Sequence, residues 1–220
     1  MSLNRTIIHL HELIERHRSA PPPRTAARLE TGLATLDETL AGGLPKGALV
    51  EIVSPLPGGG ASSLLVSLLR KSAAAARWSA LIDGHDHFDP ASAGAAVLAS
   101  LLWIRCRTTD EALRSADLLL RDGNLPLVIL DLRGNPAAEL RRIPTPQWYR
   151  LQRALEPTAT AALILTPRPM IPCAQARLLL ENHPGLDALD DEQENIAHTL
   201  RMELTRNRTA LLHEDFAQAG

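Results

Sequence analysis

Ser54-Pro-Leu-Pro-Gly-Gly-Gly-Ala-Ser-Ser63 follows the apolar run Ala48-Leu-Val-Glu-Ile-Val53 and precedes an alanine- and leucine-rich stretch from Ser62 to Ala76. The run reads as a buried strand and the stretch as a helix. Strand, glycine loop and helix are the order of a phosphate-binding loop, GxxxxGK[ST]. There backbone N–H groups cradle phosphates, the lysine neutralises the outer ones and the Ser/Thr hydroxyl holds magnesium. Only part of that set is here. With Ser54 aligned on the first motif glycine, Gly60 takes the second, the loop runs one residue long, and Ala61 stands at the lysine position, followed by Ser62 and Ser63. Gly58, Gly59, Gly60, Ala61, Ser62 and Ser63 are therefore the candidate remnant of a phosphate loop. A helix N-terminus still offers free N–H groups and a positive dipole end, so weak anion binding stays open beside a plain strand-to-helix turn.

The chain has 220 residues, 45% hydrophobic and 22% charged, and a net charge of −2. That suits one sizeable core and argues against binding polyanions by bulk electrostatics. Cys106 and Cys173 are far apart, with no CxxC or His/Cys cluster, so neither a zinc site nor a disulfide framework is expected and a reducing cytoplasm fits. No long apolar run or signal peptide is read, so the expectation is a cytoplasmic, soluble protein without membrane contact.

Three divisions follow. Leu3, Ile7, Leu10 and Ile14 give residues 1–18 one apolar stripe, the mark of an amphipathic helix that either folds back on its own domain or docks on a neighbour as a partner arm. Residues 19–28 hold Ala20-Pro-Pro-Pro-Arg24, a stiff linker. Residues 29–220 form the core and its tail. Strands are expected at 48–53, 78–83, 125–131 and 161–166, and at 101–106, whose Trp and Ile also suit a helix end, with helices at 62–76, 91–100, 111–121 and 149–155 between them. Such alternation predicts an α/β fold with a mainly parallel sheet covered on both faces. Leu200, Met202 and Leu204 alternate with polar residues, which predicts an edge strand over 199–205.

Several stretches together resemble the RecA recombinase family over about residues 29 to 210. Leu29-Glu-Thr-Gly-Leu-Ala-Thr-Leu-Asp-Glu-Thr-Leu-Ala-Gly-Gly-Leu-Pro-Lys-Gly47 is similar to the family's lead into its phosphate loop. Ile82-Asp-Gly-His-Asp-His-Phe-Asp-Pro90 resembles its second-strand motif, with His85 where the family places a catalytic glutamate. Leu127-Val-Ile-Leu-Asp131 resembles the Walker B strand, whose acid helps hold magnesium. Thr166-Pro167 falls where the family has a phosphate-sensing Asn-Gln. Arg206-Asn-Arg208 resembles the Lys-Asn-Lys that reaches a neighbouring subunit's nucleotide, so the resemblance makes Arg206 and Arg208 trans-acting cations. It implies a RecA-like core. With the lysine, the base and the sensor all replaced, no catalytic residue is assigned and a pseudo-ATPase is expected, because charge stabilisation dominates phosphoryl transfer. No cofactor is assigned, with residual ATP and magnesium binding through Ser62 and Asp131 left open. For His85, Asp86, His87 and Asp89 the expectation is a solvated loop, and no metal site is assigned.

Within that group a degraded phosphate loop looks most like the ImuA-type proteins of damage-induced mutagenic bypass, with SulA-type division inhibitors more distant. The resemblance implies a non-catalytic accessory in translesion synthesis that contacts RecA, or an inactive Y-family polymerase relative with an error-prone polymerase. The alternative is an ATP-dependent DNA-binding protein with a weakened nucleotide site. Arg133, Arg141, Arg142, Trp148, Tyr149, Arg150 and Arg153 form a basic, aromatic-containing patch that suits single-stranded DNA or a partner, against the plainer reading of a solvated helix face with a core tryptophan. Glu181, Asp187, Asp190, Asp191, Glu192 and Glu194 follow without a lysine or arginine, which favours a basic protein partner over DNA. Self-association is left open.

Overall fold

The computed structural model describes residues 27–180 and 200–208. The partner arm, most of the linker and the acidic stretch from 181 lie outside them. The described residues carry a seven-stranded sheet built from β3 (Leu49–Val53), β4 (Ser79–Asp83), β5 (Leu101–Arg105), β6 (Leu127–Asp131), β7 (Ala161–Thr166), β8 (Ala176–Leu180) and β9 (Met202–Asn207). Their order is β5-β4-β6-β7-β3-β8-β9, parallel throughout except for β9, which runs antiparallel to β8 at the edge. A two-stranded ribbon, β1 (Arg28–Leu29) with β2 (Leu44–Pro45), precedes it. The α/β class, the parallel sheet and the edge strand are as the sequence predicts.

Alternation along each strand sorts the core into two layers. Val50, Ile52, Leu81, Ile129 and Leu163 pack on one face with Leu64, Leu65 and Leu68 of α2 (Ala61–Ala74), near α1 (Ala34–Thr39). Leu49, Ile82, Val128, Leu130 and Ile164 pack on the other with Ala112, Ala116 and Leu120 of α5 (Thr109–Asp122) and Trp148, Leu151 and Leu155 of α7 (Thr145–Leu155). The helix expected over 91–100 is two short ones, α3 (Pro90–Ala93) and α4 (Ala95–Leu98). Gly94 separates them at φ 88° and ψ 160°, outside the helical region, and Asp89 caps the first by accepting from the Ala91 N–H at 3.0 Å. A short α6 (Ala137–Arg141) links β6 to α7.

This layering decides between the two readings of Trp148. Placed in the candidate patch beside the plainer reading of a core tryptophan, it is the core residue, 2% exposed in the layer beneath α7. Its spacing to Leu151 and Leu155 is the apolar stripe of that helix, and burying the largest side chain outweighs any surface role.

On the α5/α7 face, Glu51 is fully buried in β3, yet its carboxylate has a complete set of donors. It accepts from the Thr166 hydroxyl (3.1 Å), the Met170 N–H (2.7 Å) and Nε of Arg177 on β8 (2.6 Å). Arg177 Nη2 also donates to the Ile171 carbonyl at 3.0 Å. Thr166, aligned with a phosphate sensor, thus spends its hydroxyl inside this structural ion pair.

A candidate nucleotide-type site neutralised from within

The loops that follow β3, β4 and β6 all open at the carboxyl edge of the sheet, where parallel α/β folds place their ligand sites. Gly60 ends the loop after β3 as the N-cap of α2 in the left-handed conformation (φ 87°), which suits glycine, and no side chain caps the helix. The Ser54 N–H is tied to the Thr166 carbonyl at 2.8 Å. Gly58 and Gly59 belong to the turn before it, and Ala61 is buried where the motif carries lysine.

Asp83 and Asp131 end neighbouring strands in direct register, and both are buried. By alternation they share the α2 face, so two carboxylates stand one strand spacing apart, about 4.8 Å. Such a pair needs cations, and the chain supplies two. His87, four residues after Asp83, places Nδ1 3.1 Å from Asp83 and Nε2 3.4 Å from Asp131. Arg133, two residues after Asp131, grips it with a fork: Nε donates at 2.9 Å and Nη2 at 2.5 Å, while its backbone N–H donates at 3.1 Å. Nη1 of the same guanidinium donates to the Ser62 hydroxyl at 3.3 Å. Arg133 therefore stands between the two groups with which a working phosphate loop holds magnesium.

The surrounding loops fix this arrangement. Asp83 also accepts from the backbone N–H groups of His87 (3.1 Å) and Phe88 (2.8 Å). Asn135, buried, donates to the Gly84 carbonyl and the Thr109 hydroxyl, both at 2.9 Å, and Thr109 donates to Glu139. Gly134 makes room for the imidazole, because a Cβ there would lie 2.7 Å from His87 Nδ1.

Electrostatics follow the geometry. Hydrogen bonds to Asp131 and then Asp83 push His87 up to about 9 against the opposing effect of burial. Burial pulls Asp83 and Asp131 upward, but their bonds to His87, with the N–H groups at Asp83 and Arg133 at Asp131, outweigh it and hold both carboxyls below the usual range. His87 is thus an imidazolium in the folded protein at neutral pH and an ordinary histidine of value 6.5 when unfolded. Its contribution to stability is complete below pH 6.5 and is lost as pH rises through 9. Full linkage would be about 3 kcal/mol, and solvent screening of a side chain 34% exposed reduces that to roughly 1–2 kcal/mol. Urea unfolding at pH 6.5 and pH 9.5 is expected to show this decline. In His87→Gln the difference is expected to shrink to less than half.

Two readings of the sequence change here. The 85–89 loop is tied down rather than simply solvated, with His87 inside the site and Asp86 forked to Arg105 at 2.6 and 2.7 Å. His85, aligned with the catalytic glutamate, is exposed beside it. Arg133, grouped with a surface patch, turns into the site and is only 15% exposed. The rest of that patch divides. Arg141 and Arg142 are exposed by α6, while Tyr149, Arg150 and Arg153 lie on the outer side of α7. Arg206 and Arg208 sit at the end of β9, and Arg208 donates to the Pro172 carbonyl at 2.8 Å. Neither joins Ser62 or Asp131 through a hydrogen bond or ion pair within the described chain. Ser63 follows Ser62 on the first turn of α2.

No protein-family model matches the chain. It is similar to RecA of Frankia alni, 34% identical over 113 residues that cover 50% of this chain and 32% of that protein. RecA of Clavibacter michiganensis subsp. michiganensis is 34% identical over 108 residues, covering 48% of this chain and 30% of that protein. RecA of Rubrobacter xylanophilus is 33% identical over 108 residues, covering 48% and 31%. The matched stretch thus spans less than a third of each relative's length. These partial matches support a RecA-like family, and with the parallel sheet they identify the core as an α/β fold of RecA type. Among the described residues no helix is long and apolar enough to cross a membrane.

Proposed function

We propose that this RecA-like chain is a non-catalytic accessory protein of damage-induced mutagenic DNA synthesis, related to the ImuA type, which acts in the cytoplasm through contacts with RecA or with polymerase-complex subunits. The observation that carries the non-catalytic half is Arg133, whose guanidinium bridges Asp131 and the Ser62 hydroxyl. Magnesium bound to a triphosphate needs a free acid and a free hydroxyl oxygen. Both oxygens of Asp131 are already engaged, by Arg133 and His87, and Ser62 already accepts from Arg133. Ala61 offers no charge to an outer phosphate. The residues present do not fit a magnesium nucleotide.

What such a site does instead is mechanical. It pins the ends of β4 and β6 and the start of α2 with internal ion pairs, so the fold needs no ligand to hold its carboxyl edge together. Binding surfaces elsewhere are then available at all times rather than on a nucleotide cycle. The similarity to RecA supports a partner drawn from that machinery, and the apolar stripe Leu3, Ile7, Leu10 and Ile14 supports an arm-mediated contact. Pull-down of RecA and of the polymerase relative by the whole chain is expected to succeed, and removal of residues 1–20 is expected to reduce recovery at least roughly tenfold. Equal recovery without the arm would refute its role.

A further inference from the structure

We propose that the groove between α5 and α7 receives an acidic segment of a partner protein, anchored by one apolar side chain. The groove encloses about 770 Å³ and is lined by Arg121, Thr145, Pro146, Tyr149, Arg150 and Arg153, with Ala154 in its wall. Two of its guanidiniums are held in place by one carboxylate. Asp117 accepts from Nε and Nη2 of Arg121 at 3.0 and 3.2 Å, and from Nε and Nη2 of Arg150 at 3.1 and 2.8 Å. Each guanidinium keeps its other terminal nitrogen uncommitted to Asp117, and the side chains are 57% and 52% exposed. Pre-orientation of this kind lowers the entropy lost when a second carboxylate binds. Arg153 adds a charge that no acid among the described residues pairs.

Arg206 of β9 stands opposite Arg177 across the β8–β9 pair, and burial with the neighbouring Arg208 and Arg177 pulls it below the ordinary arginine range. A half-buried guanidinium beside two others is relieved by an anion. The identity of that anion follows from what surrounds the cations. Asp122 follows Arg121, and Asp117 sits between the two forks. A phosphodiester strand, charged at every nucleotide, would run onto these acids, whereas a peptide places its carboxylates only where cations stand. Pro146, Ala154 and the ring of Tyr149, itself 43% exposed, offer apolar contact for a side chain between those carboxylates.

This inference rests on the protein-contact reading above but fails separately from it, because the arm test does not involve the groove. The experiment is fluorescence anisotropy with the full chain and three labelled probes: a peptide with a leucine pair flanked by aspartates, the same peptide with lysines for the aspartates, and an oligothymidylate. Saturable binding of the acidic peptide alone is expected. Arg150→Glu with Arg153→Glu is expected to weaken it roughly tenfold or more, and Tyr149→Ala by a smaller factor. Circular dichroism checks that each variant is folded, and Arg153→Lys, which keeps the charge, is expected to bind within a few-fold of wild type. Binding of the oligothymidylate that the same substitutions remove would make the groove a nucleic-acid site and overturn the proposal. Absence of peptide binding to the wild-type chain, or binding indifferent to these substitutions, would overturn it as well.

Discussion

Replacing Glu51 with alanine is expected to destabilise the fold by about 3–5 kcal/mol, the usual result of removing one partner from a buried ion pair. Among the described residues nothing in the layer beneath α7 replaces the lost carboxylate. Arg177, 18% exposed, keeps the Ile171 carbonyl among the described residues, while the Thr166 hydroxyl and the Met170 and Ile171 N–H groups lose their acceptor. Each unsatisfied buried donor adds to the loss. Glu51→Gln keeps one acceptor oxygen for the three neutral donors but turns its amide NH2 toward Arg177 Nε and removes the charge, so it is expected to fall between wild type and Glu51→Ala. Urea denaturation followed by circular dichroism gives all three values. A loss under about 1 kcal/mol for Glu51→Ala would mean that the pair between β3 and β8 is not holding that half of the sheet.

Asp131→Ala is expected to destabilise the chain by roughly 2–3 kcal/mol, somewhat less than a fully buried pair because Asp83 retains His87. The sign is the informative part. Where carboxylates are held close together for a metal, they repel in its absence, and removing one relieves that repulsion. Here Asp131 is already matched to Arg133 and His87, so its removal leaves Arg133, among the described residues, with the weaker 3.3 Å bond to Ser62. The two accounts therefore predict opposite shifts from one substitution.

The fold was legible where hydrophobic patterning carries it. Leu127 to Asp131 and Ala161 to Thr166 are buried along their whole length and read as central parallel strands without ambiguity. Met202 and Leu204 alternate with polar residues and form the edge strand that this pattern implies. The break at Gly94 was less legible, since small residues dominate Ala91 to Ser100 and the backbone angles of Gly94 divide it. At the site, Ala61 and the glycine turn were readable in one dimension. The pairing of Asp83 with Asp131 was not, because it depends on β4 lying beside β6, an order that no local spacing encodes. Once that order is known, the spacing of His87 from Asp83 and of Arg133 from Asp131 explains why each folds back on its own strand end. Trp148 carried a usable signal in its helical spacing to Leu151 and Leu155, which its arginine neighbours obscured.

Similarity to RecA over half the chain could suggest a working nucleotide engine, whereas the local chemistry argues that the site has taken its cations from its own sequence. That is the central claim, and the most direct test is thermal unfolding of wild type and Asp131→Ala with and without magnesium and ATP. A ligand that binds the folded state at a hundred times its dissociation constant adds about 2.7 kcal/mol. The account predicts a lower midpoint for Asp131→Ala and no movement of either midpoint on adding magnesium and ATP. A wild-type midpoint that rises with magnesium and ATP and loses that rise in Asp131→Ala would contradict it.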